Sequence, residues 1–180
     1  MKLYLLCALL LVLMISCKKA DDDWIPTGSN TFSCKVDGQM FAPKESGGVF
    51  SSTKPLHAGY DRRRKLLLVE AERSSQQVSF YLSNLVLAGK YSLGFTSLPY
   101  PASTSPISYG IYVQPVPGPD PYNQPPPIRY YTDSVYAGTV QIVRFDTLAR
   151  IAGGTFEFVA RESATGKLVR ITDGRFDVRF

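Results

Sequence analysis

Catalysis by an imidazole, a thiolate or a bound metal has little to work with in this chain. It holds one histidine, His57, and three cysteines, Cys7, Cys17 and Cys34. A metal site gathers several nitrogen, sulfur or oxygen ligands, so one histidine excludes a histidine-based site and Cys34 cannot hold zinc alone. A serine or cysteine nucleophile needs a base within hydrogen-bond reach. Only His57 could serve, and no G-x-S-x-G elbow lies near it. A histidine on a strand face, bonded to a neighbour or to water, explains it more simply. Cys34 lies in an alternating apolar segment, where a buried, inert thiol is expected. No glycine loop precedes a helix to cradle a phosphate, so no cofactor and no metal are expected.

Paired carboxylates are the remaining chemistry. Glu70 and Glu72 share one strand face by their spacing of two, and Asp173 with Asp177 does so less regularly. Such acids could protonate a glycosidic oxygen and activate water. A polysaccharide-acting hydrolase using Glu70, Glu72 and Asp173 is therefore the alternative function. Acids at alternate positions are also the ordinary polar covering of an exposed sheet face. The expected protein is therefore not an enzyme. Asp21–Asp23 lacks the alternating ligands, central glycine and distal glutamate of a calcium loop, and reads as a solvated charge run.

The elements that would position these groups begin with an address. Lys2 precedes an uncharged apolar run, Leu3 to Ile15, too short for a membrane span and built like a secretory signal. Its ending, Leu13-Met14-Ile15-Ser16-Cys17, resembles the lipobox of bacterial lipoproteins, where the signal is cut before an acylated cysteine. Residues 1–16 are then the signal peptide, and Cys17 is the lipidation site that ties the protein to the membrane. An ordinary signal peptide with an incidental Cys17 is the other reading, but its A-x-A-like ending is missing. Two or three acyl chains anchor stably where one gives marginal binding. Only Cys34 then remains as a thiol, which leaves no intramolecular disulfide.

Residues 17–30 are polar and aperiodic, with Pro26 and Gly28, and are expected to form a flexible acidic tether. Cys17 followed by lysines and acids also resembles the export tag of Bacteroidota lipoproteins. That resemblance implies a lipid-anchored outer-membrane protein on the cell surface rather than the periplasmic face. The formal charge of +5 drops to +4 without Lys2, and the basic residues are scattered apart from Arg62–Lys65, which reads as a turn. No nucleic-acid partner is expected.

Residues 31–180 have the length of one domain. Eleven tyrosines and ten phenylalanines favour strands. Thr31–Val36 alternates, and Asp37-Gly38 follows as a tight hairpin signal before a return strand at Met40–Ala42. Further strands are expected at Gly47–Thr53, Leu56–Tyr60, Leu66–Glu72 and Gln77–Ser83, with a short one at Tyr91. Ten of the 13 prolines then fall between Pro99 and Pro127, among Tyr100, Tyr109, Tyr112 and Tyr122. This is expected to be a stiff loop near 99–127 with one edge strand at Tyr109–Val113. Tyr130–Thr132, Gly138–Phe145, Ala149–Arg161 and Lys167–Phe180 complete an antiparallel meander. Phe80, Leu82, Val140, Ile142, Phe156, Phe158, Phe176 and Val178 are the expected core. After the signal helix and tether, the fold class is all-β: an antiparallel β-sandwich or an open barrel built of hairpins.

The Ile15-Ser16-Cys17-Lys18-Lys19 lipobox, the opening Thr31-Phe-Ser-Cys-Lys-Val-Asp-Gly-Gln-Met-Phe-Ala-Pro, and the closing Gly153-Gly-Thr-Phe-Glu-Phe and Ile171-Thr-Asp-Gly-Arg-Phe-Asp-Val carry a further likeness. They resemble a family of small Bacteroidota lipoproteins with a single β-rich domain of unknown function. The resemblance implies class and location and supplies no catalytic residue. Tyr100, Tyr109, Tyr112 and Tyr122 are the expected ligand contacts, presented to a glycan or protein partner by the stiffened loop. Alternatively, they pack that loop onto the sandwich.

Overall fold

The computed structural model describes residues 24–44, 54–94, 108–120 and 123–180. Cys17, the signal segment, Tyr100, Tyr122 and the strand expected at Gly47–Thr53 lie outside the described residues.

Period-two alternation produces every strand. The chain forms β1 (Thr31–Val36), β2 (Gln39–Phe41), β3 (Leu56–Asp61), β4 (Leu66–Arg73), β5 (Gln76–Leu82) and β6 (Gly89–Leu93). It continues as β7 (Tyr109–Gln114), β8 (Ile128–Tyr131), β9 (Gly138–Asp146), β10 (Ile151–Glu162) and β11 (Leu168–Arg179). Leu67, Val69 and Ala71 of β4 and Val78, Phe80 and Leu82 of β5 are fully buried, so each strand turns one apolar face inward. The β1–β2 turn has φ of 48° at Asp37 and 83° at Gly38, the positive pair that a two-residue hairpin of matching twist requires.

The strands pair antiparallel in the order β2-β1-β11-β10-β8-β7-β5-β4-β3. Strand β10 is the corner. Its first part, Ile151 to Phe158, pairs with β9, whereas Arg161 and Glu162 pair with β8. Strand β6 extends β9. The sheet thereby folds into two facing layers, β2-β1-β11-β10-β9-β6 and β3-β4-β5-β7-β8. Aromatic rings cross the gap: Phe80 lies 5.2 Å from Phe156 and 5.1 Å from Phe176, and Tyr60 lies 5.0 Å from Phe145. No ladder joins β2 to β3 among the described residues, so the sheet is sandwich-like and not closed into a barrel. All eight expected core side chains are buried, each worth roughly 1.5–3 kcal/mol for the larger ones.

Two expectations are corrected. The strand expected at the edge, Tyr109–Val113, is β7, an interior strand between β5 and β8. No proline lies within Tyr109–Gln114, so its N–H groups are free to pair on both sides. The flexible tether was expected to reach Asn30, yet residues 24–30 are docked on the outer face of the β11-β10-β9 layer. The Arg175 guanidinium lies 4.9 Å from the Trp24 ring centroid. Pro26 is buried over Gly153, where a Cβ would come within 2.3 Å of it, and its carbonyl accepts a bond from Arg144 at 2.9 Å. The strap then turns at Gly28 and Asn30 into β1.

Candidate functional site

A meander returns to the same end at every second turn. The β1–β2, β4–β5 and β10–β11 turns therefore gather at one end of the sandwich, beside the end of β7 and the start of β8. Together they surround a cleft of about 410 Å³. Three glutamines, Gln39, Gln76 and Gln114, line it, with Arg73 and Lys167 as its cations and Tyr112 and Tyr130 on its inner wall.

Each group is held by its element. Tyr112 and Tyr130 face each other across β7 and β8 with ring centroids 5.7 Å apart. The Tyr130 hydroxyl donates to Gln114 Oε1 at 3.3 Å. Burial raises the pKa of Tyr112 above the ordinary phenol value, and Tyr130, Asp37 and Cys34 raise it further, so its hydroxyl stays a neutral donor. Arg73 donates to the Met40 carbonyl at 3.2 Å, which sets its guanidinium at the cleft rim. Among the described residues neither Arg73 nor Lys167 is in an ion pair. Asp37 also lines the cleft, with its carboxylate accepting the Arg170 N–H at 2.8 Å. Amides that donate and accept, a neutral phenol and two cations suit a hydroxyl-rich ligand, and few convergent polar groups in a concave site fix its orientation.

Of the tyrosines singled out by sequence, the two described ones, Tyr109 and Tyr112, divide between two surfaces. Tyr109 and Tyr112 lie on opposite faces of β7. Tyr112 is only 4% exposed and walls the cleft. Tyr109 points outward and stacks on Tyr81 at 4.6 Å and 13°. Burial first, and then Tyr81 and Tyr131, push its pKa up to about 12. Gln39, Gln76, Gln114, Arg73, Lys167 and Tyr130 were not anticipated. The parity of the hairpins was the signal that could have found them.

The acids do not converge. Glu70 and Glu72 lie on the outer side of β4, in register with Ser79 and Gln77. Asp173 belongs to the other layer, where Lys35 pairs with it at 2.9 Å. Asp177 is enclosed by the strap. His57, exposed on β3, stands opposite Glu70, and Ser79 lies on Glu70's other side with a buried Oγ that bonds to nothing among the described residues. Among the described residues, no hydrogen bond joins the Ser79 hydroxyl to Glu70 or His57. Cys34 is buried, and burial pushes its thiol up to about 12.

Comparison with family models, curated proteins and solved structures finds no match to this chain.

Proposed function

We propose that the protein is an exported lipoprotein, anchored through acylated Cys17, whose β domain is a non-catalytic module that binds a glycan in the end cleft. The cleft itself is the observation that carries this reading: glutamine amides, a neutral phenol and two cations with no ion-pair partner among the described residues, around about 410 Å³. Sugar hydroxyls need donors and acceptors side by side, and amides supply both. The anchor rests on the Ser16-Cys17 ending, and the lysines and acids that follow Cys17 support an outer-membrane location facing the cell exterior.

Two experiments test it. Metabolic labelling with a palmitate analogue should mark the wild-type protein and leave Cys17→Ala unmarked; equal labelling refutes the anchor. Glycan-array binding by the membrane-extracted protein should weaken roughly tenfold in Gln76→Ala, the loss expected for one hydrogen bond of about 1.4 kcal/mol. Binding unaffected by Gln76→Ala and Arg73→Gln together refutes the cleft as the site. Polysaccharide turnover that disappears in Glu70→Gln refutes the non-catalytic reading.

A further inference from the structure

The end of the sandwich opposite the cleft has a different chemistry. The β3–β4 turn, the loop from Ser83 to Ala88 and the β9–β10 turn meet there. The Arg62 guanidinium donates to the Thr147 carbonyl at 3.0 Å, and the Leu85 N–H bonds the Lys65 carbonyl at 2.9 Å. Arg62 through Lys65, Arg150 and Arg179 are all exposed at this end. The neighbouring acids are already engaged. Asp61 accepts the N–H groups of Arg63 and Arg64 and pairs at its exposed side with the Arg64 guanidinium at 3.7 Å, and Asp146 pairs with Arg144 at 3.1 Å while capping Leu148 and Ala149. Large apolar side chains protrude among the cations: Leu148 is 95% exposed, Leu87 62% and Val86 52%.

We infer that this end is a membrane-contact surface for an anionic headgroup layer. Clustered arginine and lysine are attracted to the negative surface of a bilayer, and apolar tips between them enter its headgroup boundary. The docked strap supports this geometry. Trp24 follows Cys17 by seven positions, a reach of at most about 25 Å. Trp24 lies beside Arg175, about 13 Å along β11 from the basic end. A short tether with a basic, apolar-tipped end holds the domain against the bilayer and turns the cleft away from it. The inference rests on the membrane anchor proposed above.

The full chain, purified from membranes, tests it after reconstitution into vesicles of phosphatidylcholine alone or mixed with phosphatidylglycerol. An environment-sensitive dye is placed on Leu148→Cys at this end and on Met40→Cys at the cleft, with the wild-type chain treated in parallel. The expected result is a blue shift at position 148 in the mixed vesicles, none at position 40, and loss of the shift in R63Q/R64Q/K65Q. A water-like spectrum at position 148 on vesicle-bound protein overturns the surface and leaves the anchor standing. Equal shifts at both positions, or a shift that persists in the triple variant, also overturn it. A chain that stays out of the vesicles overturns anchor and surface together.

Discussion

The backbone N–H of Gly28 meets the Asp177 carboxylate at 2.5 Å, across 149 positions of sequence. Thr27 and Ser29 add N–H bonds of 2.9 and 3.2 Å, so three successive donors of the strap close on one side chain of β11. Asp177 is 3% exposed despite lying on the outer side of its strand, because the strap covers it. Asp177→Ala would leave those donors unpaired, and a loss of roughly 3 kcal/mol is expected in denaturant unfolding. Asp177→Asn, which keeps an acceptor oxygen, should lose less.

The same contact sets a pH dependence. Burial raises the Asp177 pKa, but the N–H groups of Thr27, Gly28 and Ser29 and the Thr27 hydroxyl outweigh it and hold the carboxyl below the ordinary aspartate value. A lowered folded pKa gives stability that is fully present above the unfolded value of about 3.9 and lost as pH falls through the folded one. The acid limb of the stability profile should therefore be shallower in Asp177→Asn. Superimposable limbs would remove Asp177 from the explanation.

Phe80 joins the two layers through Phe156 and Phe176 and is fully buried. Phe80→Ala opens a cavity between sheets that β10 holds at a fixed spacing. A loss of about 3–5 kcal/mol is expected from thermal or denaturant unfolding. A loss below about 1 kcal/mol would show that the layers collapse to fill the space.

Ser74 and Ser75 form the two-residue β4–β5 turn with φ of 48° and 65°, the left-handed region that glycine occupies without penalty. Relieving one such residue is worth about 1 kcal/mol. Ser75→Gly should therefore raise the unfolding midpoint, whereas Gly38→Ser, at φ 83°, should lower it.

Burial holds the Cys34 thiol near 12, far from forming a thiolate at neutral pH. Alkylation of Cys34 should follow global unfolding, so its rate should rise with denaturant in step with the loss of structure. Rapid labelling of the native chain at pH 8 would contradict the burial.

Local alternation carried most of the fold by itself. The strands around Phe80, Val140, Phe156 and Phe176 could be read because a half-buried strand must place apolar residues at every second position. The Asp37-Gly38 hairpin could be read because its backbone demands those residues. The cleft was not legible, because Gln39, Gln76, Gln114, Arg73 and Lys167 stand near turns and strand ends that come together only once the sheet has folded. Tyr109 and Tyr112, three positions apart, must face opposite sides of a strand, but only the packing of the two layers decides that Tyr112 faces the cleft. The strap was hidden for the same reason. Thr27-Gly28-Ser29 has the composition of a linker, and its order comes from a carboxylate 149 residues from Gly28, which no local pattern of residues encodes.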